Sequence, residues 1–146
     1  MGRGGHIGPQ AAPVVGALVI TVTVACFGGA ASASTSAVPK AMVGCWHRHV
    51  PALPVGTSAG VWLLKITRGG TLAAYTPGTT TCGASSDFTA HISVAGSHLT
   101  IGSVPLCATK GVYTWKAAAK TLTLAAAADK SCSPRTLLFT GVWKKS

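Results

Sequence analysis

The residues from Gly44 to His49, GCWHRH, set a thiol, an indole, two imidazoles and a guanidinium side by side. In an extended strand neighbouring side chains point to opposite faces, so Cys45, His47 and His49 share one face while Trp46 and Arg48 share the other. Two histidines at this spacing can hold a metal together, but a zinc site needs a third and usually a fourth ligand. His91 sits on the polar face of another alternating segment and His98 begins a further one, so neither is directed toward the pair. His47 and His49 are therefore expected to face solvent, with no metal and no cofactor. Arg48 is the stronger chemical candidate. A guanidinium on an apolar face is costly unless it reaches water or meets an anion, and a carboxylate or phosphate headgroup is the anion its fork fits.

Catalysis by paired carboxylates would have to use Asp87 and Asp129, the only acidic residues in this chain of 146, and they fall in different loops. No G-x-S-x-G, Walker or H-E-x-x-H pattern occurs. The expectation is a protein that is not an enzyme. Asp129, beside Lys130 and near Arg135, reads as half of a local ion pair holding a loop. The formal charge of +10 favours anionic partners. Nucleic acid is not expected among them, because the basic residues are scattered singly and the longest basic run is Lys144-Lys145.

Before Lys40 the only charge is Arg3, followed by twelve apolar or hydroxyl residues from Val14 to Ala25. That run is shorter than the ~20 residues of a spanning helix and reads as the core of a secretory signal over residues 1–33. Two processing routes fit it. TVAC, Thr23 to Cys26, resembles a lipobox, which would make Cys26 the lipidated N-terminus; ASA, Ala31 to Ala33, fits an ordinary signal-peptidase site, with cleavage after Ala33. The Gly/Ala/Ser-rich residues 27–40 read as a flexible tether. The expected location is outside the cytoplasm, anchored on the outer face of the membrane if Cys26 is modified and secreted otherwise. Setting Cys26 aside leaves Cys45, Cys82, Cys107 and Cys132, spaced by 37, 25 and 25 residues with no C-x-x-C pair. In an exported chain this predicts two disulfides, with three connectivities open.

The elements that must position these residues are strands. DFTAHISV alternates Phe88, Ala90, Ile92 and Val94 with Asp87, Thr89, His91 and Ser93, giving one buried and one wet face. The same pattern predicts strands over 42–50, 61–67, 71–75, 88–94, 98–104, 112–116, 121–126 and 136–144, with no helix. Hairpin-length connections at 68–70, 95–97 and 117–120 alternate with long ones at 51–60, 76–87, 105–111 and 127–135. In an up-and-down meander this puts every long loop at one end, and eight strands bring the last antiparallel to the first. The fold expected for residues 41–146 is an all-β, eight-stranded antiparallel barrel with a tight floor and a loop-rimmed mouth. Its inward positions include Trp46, Arg48, Trp62, Tyr113, Trp115, Leu137, Phe139 and Trp143, and Arg135 falls in a mouth loop.

VGCW at the first strand resembles the G-x-W opening of calycins, the lipocalin-like barrels. GVYTW from Gly111 to Trp115, TLTL, DKSC, Arg135 and the terminal LFTGVW are similar to the C-terminal half of small bacterial exported lipocalin-like proteins. The resemblance implies that Trp46 plugs the closed end, that a basic residue, with Arg135 the nearest match, packs over it, and that the interior binds a ligand. The function expected is binding of a small hydrophobic or amphipathic anion at the mouth, by Arg48, Trp46, Trp62, Tyr113, Trp115 and Arg135. The alternative is a filled barrel acting on an exported protein partner. Similar barrels inhibit metalloproteases through an N-terminal segment, which here would be Phe27 to Lys40.

Overall fold

The computed structural model of the chain describes residues 37–52, 58–105, 107–129 and 132–146. Eight strands follow one another in sequence order: β1 Gly44–Val50, β2 Gly60–Ile66, β3 Thr71–Tyr75, β4 Phe88–Ala95, β5 His98–Ile101, β6 Gly111–Ala118, β7 Thr121–Ala128 and β8 Gly141–Lys145. Each pairs antiparallel with the next, and β8 returns to β1 through Trp46↔Lys145 and His47↔Lys144, closing the barrel. The short turns β2–β3, β4–β5 and β6–β7 form the floor and the long connections the mouth. At the first of these turns Gly70 has φ +81°, and a Cβ on it would lie 2.8 Å from the Ile92 carbonyl oxygen, so the residue must be glycine.

Alternation sorts the faces as the sequence predicts. Along β4, Ala90, Ile92 and Val94 are buried while Thr89, His91 and Ser93 are exposed. The interior is filled: Trp46, Trp62, Trp143, Tyr113, Phe139 and Met42 are all fully buried, together with Leu64, Leu72, Leu99 and Ile101. The floor is closed from below by the chain entering β1. Val38 and Met42 are buried, and the indole N–H of Trp46 donates to the Met42 carbonyl at 2.9 Å. The packed chain thus begins by Val38, inside the stretch 27–40 read as tether. The rest of that stretch up to residue 36, Cys26 and both processing sites lie outside the described residues.

The disulfides resolve the connectivity as Cys45–Cys82 and Cys107–Cys132, with Cα atoms 6.0 and 6.1 Å apart. Such bridges indicate an oxidising compartment. Cys45, on the outer face of β1, fastens the 76–87 loop over a second apolar cluster of Leu63, Ala73 and Tyr75. The Tyr75 hydroxyl donates to the Cys82 carbonyl at 2.9 Å. Cys107 and Cys132 join two mouth segments.

One expectation is corrected. Residues 136–140 do not begin the last strand; 136–139 belong to a helix, α1 Ser133–Phe139, Thr140 caps it, and β8 starts only at Gly141. Ser-Pro at the helix start is the signal that alternation masked: proline is tolerated in a first turn and its φ suits it. Helical period then decides burial. Arg135, Leu138 and Phe139, at i, i+3 and i+4, are buried, while Leu137, expected inward, is 40% exposed.

Candidate functional site

The long connections and α1 meet at the mouth around a cavity of about 220 Å³. Its walls are Trp62 from the start of β2, Phe88 from the start of β4, Val104 and Pro105 from the β5–β6 loop, and Pro134, Arg135 and Leu138 from α1, with Thr76 and Asp87 forming a polar lip. Trp62 is held by its indole N–H, which donates to the Ser58 carbonyl at 3.0 Å. The cavity does not continue into the barrel. Beneath it Phe139 packs edge-on against Phe88 and Tyr113, with ring centroids 6.5 and 6.1 Å apart. On the lip, Asp87 accepts from the Thr76 N–H at 2.6 Å and from its hydroxyl at 3.2 Å, and no Lys or Arg among the described residues pairs with it.

Beside the cavity lies a buried polar cluster that fastens α1 down. Arg135 forms two bonds to Asp129, Nε to Oδ2 at 2.8 Å and Nη2 to Oδ1 at 2.5 Å, and both side chains are inaccessible to solvent. Its remaining nitrogen donates to the Thr109 carbonyl, and the Tyr113 hydroxyl donates to Asp129 Oδ2. Thr136 closes the turn by donating to the Asp129 carbonyl at 2.8 Å. Burial alone would raise the Asp129 pKa, but the bonds from Arg135 and Tyr113 more than reverse it and hold the carboxyl below its ordinary value. Tyr113 is pushed the other way, by burial first and then by the Asp129 carboxylate, while the bond to Asp129 raises Arg135. Gly111 makes room for the cluster: a Cβ there would lie 2.5 Å from Asp129 Oδ2 and 2.8 Å from Arg135 Nε. The ion pair read from sequence is present, and Tyr113 and Thr109 complete it.

Of the six residues expected to bind ligand, Trp62 and Arg135 line the cavity, Arg135 with its donors committed to Asp129 and Thr109. Arg48 does not line it. Its guanidinium donates to the Leu137 and Leu138 carbonyls at 3.3 and 3.1 Å and lies 5.8 Å over the Trp143 ring, where partial burial lowers its pKa. It thereby satisfies the unpaired carbonyls at the C-terminal end of α1. Tyr113 lies in the buried polar cluster, and Trp46 and Trp115 belong to the floor, where Trp115 donates to the Gly96 carbonyl at 3.0 Å. The basic residue over Trp46 is Lys145, its ammonium 5.4 Å from the ring, and not Arg135. Among the described residues no group of three His, Cys, Asp or Glu is arranged to hold a metal; His49, His91 and His98 are exposed and His47 meets Ser146 Oγ at 3.1 Å. Lys130 lies outside the described residues.

Sequence reasoning missed Leu138, Pro134 and Pro105 as cavity walls. Leu138 was out of reach because only a helical period brings it inward. No protein-family model matches the chain, and no curated protein or solved structure does either, so geometry alone carries the functional reading.

Proposed function

We propose that the protein is an exported, non-enzymatic, lipocalin-like binding protein, either lipidated at Cys26 or released after Ala33, whose ligand is a small apolar molecule seated in the mouth. One observation carries this reading: the barrel interior is filled, whereas the loop-rimmed mouth keeps an apolar cavity of about 220 Å³. Ligand pockets are usually concave, apolar and provided with a few polar groups, which the Thr76–Asp87 lip supplies here. The lip suits a hydroxyl or amine head. Among the described residues an anionic head has no free cation waiting in the walls, since Arg48 is elsewhere and Arg135 is neutralised by Asp129.

The filled interior also favours the second reading, in which the mouth docks a protein partner and the cavity receives one of its side chains. A homologous series of 1-alkanols tests the first. The cavity equals about seven water volumes at ~30 Å³ each, and each buried methylene contributes about 0.8 kcal/mol, roughly fourfold in affinity. Affinity measured by NMR titration of the Trp62 indole N–H is expected to rise to about seven carbons and then level, and Val104→Phe, which fills the cavity, is expected to abolish it. A rise continuing to dodecanol, or no binding by any member, refutes the small-ligand reading.

A further inference from the structure

The helix that replaces the upper half of the last strand leaves the upper half of β7 without a strand partner on that side among the described residues. β7 pairs with β8 from Thr121↔Lys144 to Leu124↔Gly141 and no further, while on its other side it pairs with β6 as far as Val112↔Ala128. Ala125, Ala126, Ala127 and Ala128 are all exposed. Among the described residues none of the backbone bonds outside the strand ladders involves them, and the Thr114 hydroxyl that reaches the Ala125 carbonyl comes from β6. A bulge between Val112 and Tyr113 bends this end of β7. The free edge opens onto a groove of about 600 Å³ whose far wall is Ser133, Thr136 and Leu137 of α1.

We infer that this edge is a strand-addition site, taking an extended, acidic peptide segment of a protein partner alongside Ala125–Ala128. Unpaired N–H and C=O groups at strand spacing are matched by another extended backbone. The four methyl side chains offer no bulk against it and little side-chain selection. Charge selects the partner. The chain carries +10, Asp129 at the groove is neutralised by Arg135, and Lys116 and Lys144, opposite Thr123 and Thr121, stand exposed at the lower end of β7. The same charge opposes a second copy, because edge-to-edge pairing would bring two such chains together.

Amide hydrogen exchange of the folded protein provides the test, using an end-capped octapeptide alternating valine and aspartate, its valine–lysine counterpart, and an aspartate version N-methylated at alternate residues. The aspartate peptide is expected to slow exchange at least tenfold at those amides of residues 125–128 that face away from β6. Binding is expected to be about tenfold weaker in 0.5 M than in 0.05 M salt, and to be lost on N-methylation. Leu137→Glu, at an exposed position, puts a carboxylate on the groove wall and should weaken binding without altering the fold. Equal binding of the lysine peptide, binding that survives N-methylation, or no protection by any peptide overturns the inference. So does protection before peptide is added, which would mean that a second copy or the chain's own N-terminal residues already cover the edge.

Discussion

Replacing Arg135 by methionine is expected to be among the most damaging single changes in the barrel, and to invert the pH dependence of one carboxylate. Arg135 and Asp129 are both inaccessible to solvent and joined by two charge-assisted bonds, at 2.5 and 2.8 Å. Arg135→Met leaves the Asp129 carboxylate buried with the Tyr113 hydroxyl as its remaining side-chain donor from this cluster. Removing one partner of a buried pair costs about 3–5 kcal/mol, most of it the penalty of the stranded charge. For a domain of this size that is a fall in Tm on the order of 20 °C. The sign with pH follows from linkage. In the native protein Asp129 is held below its unfolded value, so its contribution is complete above pH ~4 and is lost as pH falls through the lower folded value. In Arg135→Met the bond from Tyr113 is left to oppose burial, which is the largest single effect on this carboxyl, and the folded pKa is expected to rise above the unfolded one, so stability increases as pH falls from neutral toward ~4. Urea denaturation from pH 7 to pH 3 should therefore show the cost of the substitution shrinking on acidification. Asp129→Asn/Arg135→Met, which strands no charge and still accepts from Tyr113, should recover more than half of the loss at pH 7. A cost below ~1 kcal/mol at pH 7, or one independent of pH, refutes the assignment of the pair as the fastening of α1.

The disulfides should separate by location. Removing Cys107–Cys132 as the double serine variant costs about 2–4 kcal/mol for its 25-residue separation, and limited proteolysis should then cut first near α1, whereas removing Cys45–Cys82 should expose the 76–87 loop first and leave the mouth intact. Lys145→Ala, which removes the cation over Trp46, should cost about 0.5–1 kcal/mol and shift the tryptophan fluorescence, with Lys144→Ala as the silent neighbour in the same thermal melts.

Much of the barrel could be read directly from residue order because a period of two is a local property. Phe88 to Val94 alternate with no help from the rest of the chain, and the spacing of tight and long connections puts all the long ones at one end. Trp46 and Cys45 sort to inner and outer faces by the same rule. Local alternation fails at 136–140, where the LLF run is compatible with either period. The buried Arg135–Asp129 pair favours the helix, because Asp129 receives Arg135 only when α1 turns its i, i+3 and i+4 positions inward.

Arg48 shows the other limit. Its face and height on β1 are local facts and were legible, but its role depends on which acceptors arrive. The carbonyls of Leu137 and Leu138 and the Trp143 ring come from some ninety residues away. Likewise Lys145 reaches Trp46 only because β8 closes onto β1. By itself the sequence determined the strand faces, the four cysteines that follow Cys26 and the alternation of loops, all legible from residue order. The tertiary structure alone decided which cysteines join, that the interior is filled while the mouth keeps a cavity, and that, among the described residues, the upper half of β7 is paired with β6 but not with β8, because each depends on groups brought together by closure of the barrel.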